Sequence, residues 1–353
     1  MPHHIVVVGG GSAGHVIPAI PVMQQLLASG VRITFVGTTS GLEKGLVEDL
    51  PIAYKSIAAG KLRRYWSWQN VTDVFRIFWG LMQSFWLLLL DRPSAVFSKG
   101  GFVSFPIAFA AWLLRVPVIA HESDLTPGLA NRLVLPFVRC LCTSFAATKV
   151  SGRGVRLVHT GSPIRPELLM GEASKGREKL QLSVDQKLLV VTGGSLGADH
   201  LNQVVREALP ELTQDYFVFH VCGTGKTQTG AAENYQQAEY VGEGWGDILA
   251  AADVVISRAG ANALFELLAL GKLNVLVPLS AKASRGDQIE NAAFAKEHGY
   301  SVVLGEDDLS AQGLVAALAE IGSNEASFKS ALAQFKNPDA VQLIVAEIQT
   351  YLR

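Results

Sequence analysis

Glycine-rich segments follow several apolar runs of this sequence, and their residues are the ones best suited to chemistry. The first segment, residues 9–15 (GGGSAGH), comes directly after the apolar run 4–8, and Pro18 marks the start of a helix. Glycines let backbone N–H groups approach a phosphate, and a helix N-terminus carries a positive partial charge. The segment therefore predicts an anion-binding loop at the end of a strand.

His15 closes this segment, and two interpretations of it stay open. As a general base it could take a proton from a sugar hydroxyl, since imidazole titrates in the working range of enzymes. Alternatively, it is a histidine that only hydrogen-bonds the backbone at a helix start. Asp124 is a second candidate base, although an aspartate is a weak base unless burial or a neighbouring charge raises its pKa.

Two more loops of the first half follow predicted strands. Residues 95–98 lead into residues 99–103 (KGGFV), and residues 116–120 lead into residues 121–128 (HESDLTPG). The carboxyl ends of parallel strands meet at one edge of a sheet, where ligands bind. Three loops converging on one crevice predict a ligand that carries phosphate.

The second half repeats the pattern. Residues 188–192 lead into residues 193–198 (GGSLGA), and residues 254–257 lead into a glycine-bearing turn and a helix. Glu266 lies about one turn inside that helix, near its positive end, where a carboxylate could accept hydrogen bonds from a ribose diol. A solvated helix carboxylate is an equally good interpretation of Glu266.

Two nucleotide motifs are incomplete. Gly9, Gly11 and Gly14 satisfy G-x-G-x-x-G, but the second strand ends in residues 35–39 (FVGTT) without the acidic residue that binds the ribose of a dinucleotide. Residues 223–227 (GTGKT) look like the end of a P-loop, which requires glycine where His220 stands. The sequence therefore argues against dinucleotide and nucleoside triphosphate binding at these loops.

Composition excludes other classes. The 353 residues are 49% hydrophobic and 17% charged, and 30 Lys plus Arg against 31 Asp plus Glu give a net charge of −1, which does not favour nucleic acid. No Asp-x-Asp occurs, and Cys140 and Cys142 lack a second pair of ligands at metal spacing, so they are predicted to pack in a strand. Three cysteines and the absence of a cleavable signal pattern indicate a reduced, cytosolic protein.

The order of the apolar runs predicts an α/β fold with two Rossmann-like, doubly wound parallel-sheet domains whose edges face a cleft. We expect an N-terminal domain over residues 1–162, a Pro- and Gly-bearing linker over 163–186 and a C-terminal domain over 187–336. Residues 337–353 are expected to form a last helix that packs back on the N-terminal domain.

Seven motifs in order give the chain a resemblance over essentially its whole length: GGGSAGH, KGGFVSFP, HESDLTPGLANR, TGSPIR, GGSLGA, SRAGANALFE and RGDQIENA. The chain resembles the bacterial peptidoglycan N-acetylglucosaminyltransferases that act on undecaprenyl-diphospho-muramoyl-pentapeptide. The resemblance implies a metal-independent, inverting GT-B glycosyltransferase without a cofactor. It also implies UDP-N-acetylglucosamine as donor, the undecaprenyl-linked lipid as acceptor, and O4 of the muramoyl sugar as the attacking hydroxyl.

The resemblance also implies roles for individual residues. Donor binding falls on Ser12, Ala13, Gly14, Arg165, Ser195, Val241, Ala261, Asn262, Ala263, Leu264, Phe265, Glu266 and Gln288. Acceptor binding falls on Gly11, Gly14, Gly100, Gly101 and Asn131. The catalytic candidates are His15, Asp124 and Glu122. The chain departs from the family's usual residues at Ser12 (Thr), Ala13 (Gly), Asp124 (Asn) and Asp287 (Gln).

Residues 61–92 mix basic and aromatic side chains, and two placements stay open for them. They could dock on the inner face of the cytoplasmic membrane, where the lipid acceptor lies, or form a buried helix. Within them, residues 77–90 are too short an apolar stretch to span a bilayer. Docking would make the chain a peripheral protein on the cytoplasmic side of the cell membrane.

Two other functions stay open. A UDP-N-acetylglucosamine 2-epimerase would share the fold and the donor, but it would be expected to carry catalytic carboxylates in place of an acceptor site. A non-catalytic protein that binds a nucleotide sugar would bind the donor without turnover.

Overall fold

Strands and helices alternate along the computed structural model, which describes residues 3–39, 41–60, 68–150, 154–194, 197–229 and 232–352, with the backbone alone for 68–74. The chain divides into two compact units. Unit 1 consists of Met1–Pro163 and Pro338–Arg353, and unit 2 is Ile164–Asn337.

Each unit is built on one parallel sheet. The strands of unit 1 are β1 (His4–Gly9), β2 (Arg32–Gly37), β3 (Ala53–Ser56), β4 (Ala95–Gly100), β5 (Val118–Glu122), β6 (Cys140–Thr143) and β7 (Arg156–His159). Those of unit 2 are β8 (Lys187–Thr192), β9 (Tyr216–Val221), β10 (Tyr235–Ala238), β11 (Val254–Ser257), β12 (Leu273–Leu276) and β13 (Val302–Val303). Their orders are β3-β2-β1-β4-β5-β6-β7 and β10-β9-β8-β11-β12-β13. The strand order reverses between β1 and β4 and between β8 and β11, where α/β sheets bind ligands.

The α-helices are α1 (Ile20–Ala28), α2 (Glu43–Val47), α3 (Trp68–Asp91), α4 (Ser104–Leu113), α5 (Leu129–Val134), α6 (Pro166–Leu169), α7 (Ala173–Lys179), α8 (Asp199–Glu207), α9 (Leu209–Asp215), α10 (Trp245–Ala251), α11 (Ala261–Ala269), α12 (Asp287–Glu297), α13 (Ala311–Ser323), α14 (Glu325–Gln334) and α15 (Ala340–Gln349). Short 3-10 turns complete them at Ala13–His15, Ile17–Ala19, Leu135–Phe137 and Glu306–Asp308. No helix in the described part of the chain is long and apolar enough to cross a membrane.

The core of unit 1 covers both faces of its sheet, which explains why its central strands are continuous apolar runs. On one face, Ile5 and Val7 of β1 lie in a cluster with residues of α1 and α15. On the other face, Val6 and Val8 lie in a cluster with residues of α3 and α4. Cys140 and Cys142 are both buried in β6, as expected of packed strand cysteines.

Helix α15 is part of unit 1 although it is the last element of the chain. Its first turn is capped by the Asp339 carboxylate, which accepts from the Gln342 backbone N–H at 3.0 Å. Ile344 and Ile348 are fully buried in the core beside α1, and Arg156 of β7 donates to Glu347 at 3.0 Å. The helix is therefore held on unit 1 by its buried apolar side chains and by the Arg156–Glu347 contact near its C-terminal end.

The stretch 163–186, for which the sequence predicts a linker, holds α6 and α7, and both pack on α10. Two glycines permit this close packing. A Cβ at Gly171 would overlap the Gly246 carbonyl oxygen, and a Cβ at Gly176 would overlap the Asp247 carbonyl oxygen. The glycines that suggest an open connection in the sequence instead let two short helices approach the α10 backbone within unit 2.

Truncation of the α15 side chains tests this packing. We expect Ile348→Ala to destabilise unit 1 by about 2–5 kcal/mol, the usual cost of removing a buried aliphatic side chain. The matched control is Leu343→Ala in the same helix, because Leu343 is 38% exposed while Ile348 is fully buried. Hydrogen exchange of the β1 and β2 amides measures the local free energy of opening. Equal losses in both variants would contradict the assignment of Ile348 to the core.

Candidate active-site loops of the two units

The first glycine loop is held by a buried carboxylate. Gly11 has a φ of +86°, which favours glycine. Its backbone N–H donates to Oε1 of Glu43 at 2.8 Å, and the Thr38 hydroxyl lies 3.3 Å from the second oxygen, Oε2. Glu43 belongs to α2 and is fully buried. Glu43 lies beyond residues 35–39, where a dinucleotide motif would place an acid, so the sequence pattern does not single it out.

His15 lies in the 3-10 turn Ala13–His15 directly after this loop. Its Nδ1 donates to the Gly10 carbonyl oxygen at 3.0 Å and lies 3.0 Å from Ser12 Oγ. Because a carbonyl oxygen can only accept, Nδ1 carries the proton and Nε2 is the basic nitrogen of the neutral ring. Ala13 does not have a positive φ, so its Cβ is compatible with this turn.

Gly100 lies beside the Cδ2–Nε2 edge of the His15 ring, and Asn131 lies close to the same glycine. A Cβ built on Gly100, whose φ is +102°, would be 3.6 Å from His15 Nε2 and 3.6 Å from Asn131 Oδ1. Asn131 is buried, and its Oδ1 has no hydrogen-bond partner within the described residues. The structure thus brings together His15, Gly100 and Asn131, which the sequence analysis placed in one site.

Glu122 is a catalytic candidate from the resemblance, and both of its carboxylate oxygens accept hydrogen bonds within the protein. Its Oε1 accepts from the Asp124 N–H at 3.0 Å. Its Oε2 accepts from the Gly128 N–H and from Asn131 Nδ2, both at 2.9 Å. Glu122 is buried, and all three of these contacts come from N–H donors of its own loop and of α5. This geometry suits a residue that orders the loop 123–128 better than a base that must reach a substrate.

Lys99 is a buried cation at the same sheet edge, and the sequence analysis assigned it no role. It is the second-last residue of strand β4 and is 2% exposed, and its Nζ donates to Ser123 Oγ. Burial lowers the pKa of Lys99 to about 8, although the nearby carboxylates of Glu122 and Asp124 oppose this shift. No sequence signal marks the residue, because a lysine before two glycines is ordinary in a surface loop.

In unit 2, the loop after β8 is also built on glycine. Gly194 and Gly197 have φ values of +82° and +67°, and a Cβ at Gly197 would overlap the Cys222 carbonyl oxygen. The predicted donor residue Ser195 lies outside the described residues. Ala198 precedes α8, so the loop delivers its backbone to the start of a helix.

Glu266 lies in the second turn of α11 and points toward Arg165, with Arg165 Nη2 and Glu266 Oε1 3.4 Å apart. Burial raises the pKa of Glu266, and the Arg165 guanidinium partly opposes that rise. Two residues implied by the resemblance are therefore neighbours, although 101 positions separate them in the sequence. A carboxylate paired with one arginine keeps oxygen lone pairs for a further donor.

Five of the candidate donor-binding residues besides Glu266 belong to α11. Leu264 and Phe265 are buried in the core, so only their backbone could meet a ligand. Ala261, Asn262 and Ala263 form the first turn of the helix after Gly260. The Val241 side chain is half-buried in the loop before α10.

Gln288 and Asp287 lie at the start of α12. The Gln288 side-chain oxygen accepts from the Leu279 N–H at 3.0 Å, which ties α12 to the loop after β12. The Asp287 carboxylate is paired with Arg285 at 3.3 Å, so this departure from the family pattern is compensated locally. Across the described residues, His, Cys, Asp and Glu side chains form no group of three that could hold a metal ion.

Comparisons with known proteins agree over both units. The model of the glycosyltransferase family 28 N-terminal domain matches residues 5–143, and that of the glycosyltransferase family 28 C-terminal domain matches residues 188–344. The chain is 44% identical over 352 residues to a Legionella pneumophila (strain Lens) protein, covering 99% of this chain and 97% of the relative. That relative is named UDP-N-acetylglucosamine--N-acetylmuramyl-(pentapeptide) pyrophosphoryl-undecaprenol N-acetylglucosamine transferase.

Solved structures share the fold. The crystal structure of MurG from Acinetobacter baumannii superposes with a TM-score of 0.79 at 26% identity, covering 99% of this chain and 100% of the other. A UDP-GlcNAc 2-epimerase from Neisseria meningitidis superposes with a TM-score of 0.70 at 13% identity over 98% and 100% of the two chains, a likeness of fold alone. The chain has the GT-B architecture and belongs to glycosyltransferase family 28, within the family of the undecaprenol-linked N-acetylglucosamine transferases.

Proposed function

We propose that this chain transfers N-acetylglucosamine from UDP-N-acetylglucosamine to O4 of the muramoyl sugar of undecaprenyl-diphospho-muramoylpentapeptide, the step that forms lipid II in peptidoglycan synthesis. The observation that carries the proposal is the 44% identity to a transferase of that name over 99% of this chain. The reaction is an inverting displacement by a glycosyltransferase, and we assign it no metal ion or cofactor.

The donor binds at the sheet edge of unit 2 in this proposal. Glu266 accepts hydrogen bonds from the ribose diol, and Arg165 holds its carboxylate in place. The first turn of α11 and the glycines after β8 present N–H groups to the diphosphate. These fixed dipoles stabilise the negative charge that grows on the UDP leaving group as the glycosidic bond breaks. Gln288 and Ser195 are proposed to contact the sugar and the diphosphate, and Val241 the uracil.

The acceptor binds at the sheet edge of unit 1 in this proposal, with Gly11, Gly14, Gly100, Gly101 and Asn131 lining it. His15 is the general base. Nδ1 donates to the Gly10 carbonyl oxygen and so leaves the basic lone pair on Nε2, which belongs to the ring edge beside Gly100. Nε2 takes the proton of the O4 hydroxyl while that oxygen attacks the anomeric carbon. Glu122 acts through the loop that it orders.

The reaction assay uses radiolabelled UDP-N-acetylglucosamine and the lipid acceptor. We expect label to appear in the lipid product only when both substrates are present. Release of N-acetylmannosamine from the donor without lipid would overturn the proposal in favour of the 2-epimerase reaction. Donor binding without turnover in the presence of lipid would overturn it in favour of a binding protein.

A membrane-docking surface on α3 is proposed for access to the lipid. In this 24-residue helix, Gly80, Ser84 and Leu88 are buried on one side. Large apolar side chains face solvent on the other: Phe75 (72% exposed), Phe78 (63%), Trp79 (60%), Met82 (42%), Trp86 (54%) and Leu90 (76%). The sequence left open whether this stretch is core or surface, and the described helix has one face of each kind.

Two features support a lipid surface as the partner of this face: an adjoining exposed apolar surface on α4 and a nearby exposed cation. Helix α4 packs on α3 and ends in Trp112 and Leu113, which are 52% and 50% exposed. Arg76 adds an exposed cation on α3, and an aromatic surface with cations suits an anionic headgroup region. The basic residues predicted before Trp68, among them Arg63 and Arg64, lie outside the described residues. We place the protein on the inner face of the cytoplasmic membrane, bound peripherally.

Glu266 provides a test of donor binding. Glu266→Ala removes a charge-assisted hydrogen bond worth about 1.5–3 kcal/mol, so we expect UDP affinity to fall roughly ten- to a hundredfold. Isothermal titration calorimetry with UDP measures it. Glu320→Ala, at an exposed position of α13, is the matched control and should bind UDP like the parent protein. Unchanged affinity in Glu266→Ala with an intact fold would contradict the assignment.

The identity of the base is tested by His15→Ala and Asp124→Asn. Removal of a general base costs about 10²–10⁴ in rate. We expect a loss of kcat in this range for His15→Ala, with UDP affinity nearly kept. Asp124→Asn should lose much less, because asparagine preserves the shape of the side chain. The reverse ranking at saturating donor and acceptor would assign the base to Asp124 and leave His15 as an acceptor-positioning residue.

The docking surface is tested by Phe78→Ser combined with Trp79→Ser. Insertion of each of these two side chains into lipid buries apolar surface worth about 1.5–3 kcal/mol. The serine variant lacks this gain, so its partition onto anionic vesicles should fall at least tenfold. Met170→Ser combined with Val184→Ser is the matched control, since both side chains are exposed apolar residues of unit 2. UDP affinity should not change in either variant. Unaffected vesicle sedimentation of the α3 variant would argue that this face does not meet lipid.

A further inference from the structure

One peptide group of the first glycine loop is hydrogen-bonded on both of its sides. Its N–H, which belongs to Gly11, donates to Oε1 of Glu43 at 2.8 Å. Its carbonyl oxygen, which belongs to Gly10, accepts from Nδ1 of His15 at 3.0 Å. The N–H and C=O bonds of a trans peptide group point in opposite directions within one plane. A single rigid unit therefore connects a buried carboxylate to the histidine that the proposed function makes the general base.

The orientation of this peptide group is set by its partners. Residues 9–11 are all glycine, and glycine adopts positive and negative φ about equally readily because it has no Cβ. The local sequence therefore leaves the peptide group free to rotate. An ionised carboxylate can only accept hydrogen bonds, so Glu43 requires the N–H on its own side. The carbonyl oxygen must then face the other side, where His15 lies.

The surroundings of Glu43 are built to let its carboxylate reach the loop backbone. Glu43 is the first residue of α2 and is fully buried. A Cβ built on Gly10 would lie 2.7 Å from Oε1, and a Cβ on Gly41 would overlap Oε2. The Thr38 hydroxyl donates to Oε2 at 3.3 Å. Because a buried carboxylate costs free energy that an apolar side chain of the same size does not, its presence here indicates a polar role.

The partner of Nδ1 decides which nitrogen of the neutral His15 ring is basic. The Ser12 hydroxyl lies 3.0 Å from Nδ1, but a hydroxyl can donate or accept and so fits either tautomer. The Gly10 carbonyl oxygen can only accept, so it keeps the proton on Nδ1 and the lone pair on Nε2. The tautomer therefore depends on the orientation of the peptide group that Glu43 holds.

We propose that Glu43 is a positioning residue that fixes the tautomer of His15 through the Gly10–Gly11 peptide group. This inference rests on the proposed function and deepens it. Glu43 is fully buried and acts through the peptide group without touching the substrate. What the site requires of residue 43 is a hydrogen-bond acceptor at the right distance from the Gly11 N–H.

Two conservative variants separate the reach of this side chain from its charge. Glu43→Gln keeps the length and an oxygen acceptor, and its amide nitrogen can donate to the Thr38 hydroxyl, so kcat should stay within about threefold of the parent value. Glu43→Asp keeps the charge but is one methylene shorter. The misplaced peptide group should lower kcat about ten- to a hundredfold, with KM for both substrates and UDP affinity nearly kept. The reverse ranking of the two variants would overturn the proposal.

The matched control is Glu48→Asp, at an exposed position directly after α2. It makes the same chemical change away from the loop and should transfer the sugar like the parent protein. Thermal unfolding checks the fold of each variant. Glu43→Asp should unfold cooperatively like the control, and loss of the folded state in this variant would overturn the proposal, because Glu43 would then serve the stability of unit 1.

A double-mutant cycle tests whether Glu43 acts through His15. If it does, the two changes are not additive, and Glu43→Asp should lower the residual kcat of His15→Ala by less than about twofold. A further loss in the His15→Ala background as large as the loss in the parent protein would contradict this route, because Glu43 would then support the reaction without the histidine.

The tautomer is measured directly, and without substrate, by NMR of protein labelled with 15N-histidine. The ring signals of His15 are assigned as those missing in His15→Ala. With the ring neutral, we expect a protonated Nδ1 in the parent protein, Glu43→Gln and Ser12→Ala, and a mixture of both tautomers in Glu43→Asp. A protonated Nδ1 alone in Glu43→Asp would refute the proposal. A mixture in Ser12→Ala would refute it too, since the serine would then set the tautomer.

These measurements separate the role of Glu43 from the reaction itself. The expected tautomers together with no transfer by the parent protein would refute the proposed function and leave the role of Glu43 intact. Transfer by the parent protein with kcat and tautomer both unchanged in Glu43→Asp would refute the role of Glu43 and leave the proposed function intact.

Discussion

Close approach of backbone to backbone at the sheet edges is the constraint on which the rest of the structure depends. A Cβ at Gly101 would overlap the Gly10 carbonyl oxygen, so the loops after β4 and β1 can meet only without side chains at this point. Gly197 approaches the Cys222 carbonyl oxygen in the same way in unit 2. The Gly101–Gly10 contact occurs where the strand order of unit 1 reverses, and in the same place His15 and Asn131 lie close to Gly100.

The central strands and the first glycine loop could be predicted because their signals are local. A strand buried on both faces contains a run of apolar residues, and β1, β8 and β11 each show such a run over most of their length. The edge strands β3, β7 and β10 were not predicted, since their polar and exposed residues resemble loops. Their existence depends on the neighbouring strand that each one pairs with, which a single sequence does not display.

The site residues divide in the same way. His15 and Glu266 stand inside motifs, so residue type and spacing indicate them. Glu43 and Lys99 contact Gly11 and Ser123, which lie in loops distant from them in the sequence. The residues next to Glu43 and Lys99 therefore give no indication that either charge is buried. The glycines at 171 and 176 were misleading for the opposite reason, because glycine serves close helix packing as well as open turns. Sequence reasoning finds the residues of a site more readily than the charges that support them.

Helix α15 has a consequence for the order of events during synthesis. The chain leaves unit 1 after Pro163, builds all of unit 2, and returns at Pro338. Ile344 and Ile348 complete the unit 1 core beside α1, so all of unit 2, about half of the chain, must leave the ribosome before that core can be completed. Unit 2 is a continuous segment and can close its own core earlier. Until residue 348 is available, the nascent first unit exposes the apolar surface that α15 will cover, and it is during this interval that the chain depends most on protection from aggregation.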